Sequence, residues 1–186
     1  MKKLAMLLTL AVPAALCAAD GARTIKGVTF PGSVAVEGKA LLLNGIGLRT
    51  KVVFKVYAAG LYLEKRSADG PEIAAAEQLK RIELVFLRAV DGADVAGAIS
   101  GGFEKNAGPA LSGLKPRIQR FAQLIPDVKK GDRLVFIYRP GSGLEMQANG
   151  KILGQIEGKD FSDTLFRVWL GDHPADKALK TGLLGL

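Results

Sequence analysis

The chain has 186 residues and a formal net charge of +8, with 26 Lys and Arg against 18 Asp and Glu. One cysteine and one histidine exclude an internal disulfide and a Cys–His metal set, and no Ser–His–Asp set, phosphate loop or zinc spacing is present. The basic excess favours anionic partners such as lipid head groups or carboxylate ligands, beside its general role in solubility.

Residues 1–19 read as a secretory signal peptide. Met1-Lys2-Lys3 is a basic start, residues 4–16 form an uncharged apolar run, and Cys17-Ala18-Ala19 is a small-residue cleavage site. The run is shorter than the roughly 20 residues that span a bilayer. A lipidated cysteine usually follows a small residue, whereas Cys17 follows Leu16. Cleavage after Ala19 removes the only cysteine and leaves residues 20–186 as one domain, long enough for a real core. An exported chain of this kind is expected in the periplasm, without nucleic acid as a partner, and its charge suits peripheral contact with an anionic membrane surface.

In chain order, residues 20–26 read as a mobile start and residues 27–30 as a first strand, stopped by Pro31-Gly32. Residues 40–48 are apolar with glycines inside. Residues 52–63, rich in Val, Phe and Tyr, form the strongest strand signal, with a bend expected near Gly60. Pro71 opens a short helix over 71–78. Residues 81–90 alternate, with Ile82, Leu84 and Phe86 on one face. Residues 91–106 then follow helical spacing, with Asp91 or Asp94 as the cap. There Gly101-Gly102 weakens the helix or admits a close neighbour. A second helix covers 114–125. Strands over 133–139, 144–148 and 151–156 are joined by Pro140-Gly141-Ser142-Gly143 and by Asn149-Gly150, a strong tight-hairpin pair. A closing helix over 160–170 carries Phe161, Leu165, Phe166 and Trp169 on its apolar stripe, with Ser162 as cap, and a short helix follows over 176–184. The expected class is α+β: a large antiparallel sheet packed against a layer of helices.

Two segments together resemble one family. The first runs Leu43-Asn44-Gly45-Ile46-Gly47-Leu48-Arg49, then Phe54-Lys55-Val56-Tyr57-Ala58-Ala59-Gly60-Leu61-Tyr62-Leu63. The second runs Phe161-Ser162-Asp163-Thr164-Leu165-Phe166-Arg167-Val168-Trp169-Leu170-Gly171. They resemble the bacterial exported branch of the chalcone-isomerase-like proteins, whose fold is an open-faced sandwich. In the plant enzymes of that fold a phenolate adds to a conjugated ketone, and an arginine in a Gly-x-Gly-x-Arg stretch assists; Arg49 matches it. The family's threonine falls on Tyr57. Its catalytic tyrosine and asparagine fall on Val95 and Gly102, and a further polar group falls on Val168. Fatty-acid-binding members of the fold use an arginine and a tyrosine for the head group, roles that Arg49 and Tyr57 match.

The resemblance therefore implies a non-catalytic binder of a fatty acid or similar apolar carboxylate, held by Arg49 and Tyr57, with the tail along helices carrying Ile99, Phe103 and Trp169. The alternatives are an isomerase or lyase acting on a conjugated ketone, and a structural protein whose pocket is filled core. No cofactor and no metal are expected. The residues themselves leave room for Arg49 as a surface group, Tyr57 as a core tyrosine, and Trp169 and Phe166 as plain core. On one straight strand Arg49 and Tyr57 would lie about 26 Å apart, so a shared site requires a turn between them, near Thr50-Lys51. For the leader, N-terminal sequencing of the mature protein should begin at Asp20; a chain retaining an acylated Cys17 would be membrane-anchored instead.

Overall fold

The computed structural model describes residues 21–186, so the expected leader and cleavage site lie outside the described residues. The segment expected to start mobile is paired. Strands β1 (Arg23–Ile25) and β2 (Val28–Phe30) form a hairpin in which the Thr24 and Thr29 hydroxyls lie 2.9 Å apart.

Seven further strands form one antiparallel sheet in chain order: β3 (Ser33–Val36), β4 (Lys39–Lys51), β5 (Phe54–Leu63), β6 (Lys80–Phe86), β7 (Arg133–Arg139), β8 (Gly143–Ala148) and β9 (Lys151–Ile156). Helix α1 (Gly70–Ala75) joins β5 to β6. Helices α2 (Gly92–Asn106) and α3 (Leu111–Gln123) join β6 to β7, and α4 (Lys159–Leu170) and α5 (Lys177–Leu183) close the chain. The sheet curls around the helices in the α+β arrangement expected from the sequence.

Several boundaries differ from the sequence reading, each for a local reason. The long strand expected over 52–63 is cut at its start, because Val52-Val53 form the β4–β5 turn and Lys51 pairs with Phe54. Through Gly60, β5 pairs with β6 without interruption from Tyr57 to Leu63, and the nearby irregularity falls in β4, at Asn44. Gly60 instead lies under the Phe30 ring, where an added Cβ would come within 2.6 Å of it. Strand β6 ends at Phe86, and Val90 makes only a single bridge to Val128. Helix α3 starts three residues before its apolar stripe, led in by a 3₁₀ turn at Gly108–Ala110. Neither Asp91 nor Asp94 caps α2 through its side chain; Asp127, from the far end of α3, accepts the Gly92 N–H at 2.7 Å. Ser162 does not cap α4 either. It lies inside the helix, buried, with its hydroxyl donating back to the Gly158 carbonyl at 3.2 Å.

Strand alternation divides the sheet into two faces. Leu61, Ile82, Leu84, Phe136 and Met146 face the helices. There Phe103, Phe121 and Phe161 pack ring on ring, Phe103 to Phe161 at 4.8 Å between centroids, and Phe136 meets Trp169 at 5.7 Å. On the other face, Phe30, Leu41, Tyr62 and Ile137 form a smaller cluster covered by the β1–β2 hairpin. Beyond its edge the same face carries ion pairs. The buried Glu83 accepts from Arg81 at 2.7 Å and from Arg133, and Arg139 joins Glu37 and Glu145.

Lys80, at the start of β6, is fully buried. Its ammonium donates to the carbonyls of Ile73, Ala74 and Ala76, at 3.2, 2.5 and 3.0 Å, which satisfies the last turn of α1. The Tyr138 and Phe166 rings lie 4.7 and 5.1 Å from it, and Asp163 lies at 3.7 Å. Burial, the largest influence, holds this amine down to about 8 despite the opposing pull of Asp163. The folded protein therefore releases the Lys80 proton above about pH 8, while the unfolded chain keeps it to about 10.5. Stability should rise across that window. Urea unfolding of the parent and of Lys80→Met at about pH 8 and about pH 10 should show the parent gaining roughly 2 kcal/mol on the variant. Comparing the pair cancels the opposing contribution of the tyrosines, which titrate in both.

Candidate functional site

The β4–β5 hairpin places Arg49 directly across from Tyr57 in the ladder. Partners in an antiparallel pair project to the same face, with Cα atoms about 5 Å apart. The turn that permits this is at Val52-Val53, just beyond Thr50-Lys51. Past Arg49 the register shifts and leaves Val56 unpaired, so the hairpin kinks at the cavity mouth.

Helix α5 lies on this hairpin because β4 has no side chains in its way. A Cβ on Gly47 would stand 2.7 Å from the Leu179 carbonyl oxygen, and one on Gly45 would collide with the carbonyls of Gly182 and Leu183. Contact of backbone on backbone brings Asp176, the N-cap of α5, to Arg49. The carboxylate accepts from the Leu179 amide at 3.1 Å, from the Thr50 amide at 3.2 Å and from the Arg49 guanidinium at 3.4 Å. Burial pushes the Asp176 carboxyl up, but those amides and the Arg49 charge outweigh it and hold the group below its ordinary range. The same Arg49 nitrogen also donates to the Thr50 carbonyl at 2.9 Å. Among the described residues no side chain or carbonyl accepts from the other two guanidinium nitrogens of Arg49.

Tyr57 is oriented from the opposite side. The Trp169 indole donates to the Tyr57 hydroxyl at 3.0 Å. An indole N–H can only donate, so the phenol accepts there and its own proton is left for something else; no described residue takes it. Burial, only partly offset by Trp169 and Arg49, pushes this phenol up to about 12. Tyr57 is therefore a neutral donor at physiological pH.

Arg49 and Tyr57 open onto a cavity of about 840 Å³ between the sheet and α2. Val56, Leu84 and Phe86 form its floor, and Val95, Ile99 and Gly102 of α2 face them. Val168 and Trp169 close the inner end, and Phe54, Lys51, Arg88 and Lys105 stand at the rim with Asp91 and Asp94. Four cations against two carboxylates make the lining basic. Gly102 has no room for a side chain, since a Cβ there would be 2.6 Å from the Val168 methyl. Asn106, at the end of α2, ties the helix to the 173–175 loop by donating to the His173 carbonyl at 3.0 Å.

The expected tail path needs one correction. Ile99 and Trp169 line the cavity, but Phe103 does not. It is fully buried in the ring cluster between α2, α3 and α4, where Phe161 and Phe121 surround it. Phe166 is core, beneath Lys80. Asp176 was not legible as a partner of Arg49, because 127 residues separate them; the Gly-x-Gly spacing was the signal of a close neighbour. Among the described residues no group of His, Cys, Asp or Glu is placed to hold a metal ion, and no helix is long and apolar enough to cross a membrane.

An antiparallel sheet curled over a helical layer, with a large, partly apolar cavity entered beside a cationic hairpin, defines an α+β domain with an open internal cavity. Residues 22–185 match the chalcone isomerase-like family, and the chain belongs to it. Its fold is shared by the crystal structure of an Arabidopsis thaliana fatty-acid binding protein, with a TM-score of 0.74 and 18% identity over 88% of this chain and 95% of that one. No curated protein matches the sequence.

The contact of α5 on β4 yields a direct test. Gly47→Ala must push Leu179 away and should cost about 1–3 kcal/mol in urea unfolding. In hydrogen exchange the Thr50 amide, held by Asp176, should lose protection first.

Proposed function

We propose that this protein binds a fatty acid or similar apolar carboxylate, without transforming it, in the cell envelope. The observation that carries the reading is the Arg49–Tyr57 pair at the wall of an apolar cavity whose volume suits a small ligand. A carboxylate between them meets the unpaired edge of a guanidinium, a group that presents several fixed donors and stays cationic. It also meets a phenol whose proton has no other acceptor. The chain of such a ligand lies along Val56, Leu84, Phe86 and Ile99. Asp176 partners the guanidinium when no ligand is present, which avoids the cost of a poorly solvated unpaired charge, and it tempers the affinity for an anion.

The fatty-acid-binding protein that shares the fold supports this reading. So does the apolar character of Val95, Gly102 and Val168, which converge on the cavity. An isomerase acting on a conjugated ketone needs polar groups there to hold developing charge and ordered water. The envelope location rests on the leader-like residues 1–19.

Isothermal titration with a long-chain fatty acid tests the proposal, with an alcohol of equal length as control. Arg49→Ala should weaken the acid roughly ten- to a hundred-fold and the alcohol little. Tyr57→Phe should weaken the acid less. Asp176→Asn keeps the α5 cap and should tighten the acid roughly two- to tenfold. If Arg49→Ala binds acid and alcohol as the parent does, the head-group role is wrong. Cyclisation of a chalcone well above the spontaneous rate, lost in Arg49→Ala, would assign the site to catalysis instead.

A further inference from the structure

Among the described residues four hairpins turn on two residues, and three use the same chemistry. Lys26-Gly27, Glu37-Gly38 and Asn149-Gly150 each hold both residues at positive φ with glycine second, as tight antiparallel turns favour. The fourth, between β4 and β5, is Val52-Val53. Val52 has φ 58, a region that β-branched residues avoid. No packing offsets that strain: Val52 is 89% exposed, Val53 75% and Phe54 56%. A turn built for folding alone would carry asparagine and glycine here, as another hairpin of the same chain does.

The apolar tip is ringed by cations. Lys51 and Lys55 flank it on the two strands, Lys26 lies close enough to Lys55 to hold that amine below its ordinary value, and Arg88 stacks on the Phe54 ring at 4.9 Å. Among the described residues no carboxylate pairs with any of these four. Exposed valines and a phenylalanine inside a basic ring match the boundary between acyl chains and anionic head groups. They do not match a second copy of this basic chain, and a three-residue tip is far smaller than a stable protein interface.

We propose that the β4–β5 hairpin tip docks on an anionic lipid bilayer. Val52, Val53 and Phe54 enter the head-group boundary, and Lys26, Lys51, Lys55 and Arg88 meet the phosphates. Lys51, Val52, Phe54 and Arg88 also form the cavity rim, so docking seats the cavity mouth on the lipid. That last consequence rests on the proposed apolar ligand; the docking does not.

Co-sedimentation with vesicles tests it without any added ligand. One set contains phosphatidylcholine with phosphatidylglycerol, the other phosphatidylcholine alone. Residues 4–16 are themselves apolar, so parent and variants carry the same N-terminus. The parent should partition onto the anionic vesicles and not the neutral ones. Val52→Asn with Val53→Gly restores the ordinary turn, should unfold at the same or higher temperature, and should lower partitioning at least tenfold. Lys51→Gln with Lys55→Gln should lower it roughly ten- to thirtyfold. Equal binding to neutral vesicles, or a turn variant that partitions as the parent does, would overturn the proposal. Because no fatty acid is present, these outcomes are independent of whether the cavity binds one.

Discussion

The contact between α5 and β4 is the constraint from which the site follows. A helix normally stands off a strand by the length of its side chains. Here Gly45 and Gly47 remove them, and the helix backbone comes down on the strand backbone. The N-cap carboxylate of that helix then has to sit at the far end of β4, where Thr50 and Arg49 present donors. The standing partner of the arginine is thus set by the absence of two Cβ atoms. The Gly-x-Gly-x-Arg spacing is a single device: two glycines lay the helix down, and the arginine meets its cap.

The other half of the site depends on a hydrogen bond that runs in one direction. Trp169 lies on the inward stripe of α4, and its indole N–H must find an acceptor once buried. Tyr57 supplies it. The phenol keeps its proton because burial disfavours the charged form, and Tyr57 lines the cavity. Strand and helix thereby orient one another's polar atoms, and neither side chain would be a defined donor alone. The inner wall of the same cavity is apolar, with Val95 and Val168 beside Trp169.

Much of the fold was legible because its signals are local. The alternation of Ile82, Leu84 and Phe86, the Asn149-Gly150 turn and the apolar stripe of α4 each announce an element within a few residues. The errors came where distant groups overrule local ones. Asp91 and Ser162 are good capping residues by type, yet Asp127 takes the α2 N-terminus and a buried Ser162 bonds backwards within α4. Val52-Val53 carries strand-forming residues and no turn residue, so its local signal is the start of a strand where the chain in fact reverses. The site was legible as two candidate residues and a condition on the chain between them. Their partners Asp176 and Trp169 come from the last quarter of the sequence, and no spacing rule connects them to a hairpin near its beginning.

One wall of the cavity has a consequence of its own. Where α2 faces the sheet, Val95, Ile99 and Gly102 line the space, while Gly97 and Ala98 are exposed at its outer edge. Val95 and Ile99 are β-branched and stiff at χ1, and α2 is held at its end by Asn106. Across from it, Phe86 and Leu84 are fixed in a continuous ladder. The gap between the two surfaces is thus a slot of set width, closed at Trp169 and open at the hairpin. Such a slot is fixed in girth and open in length.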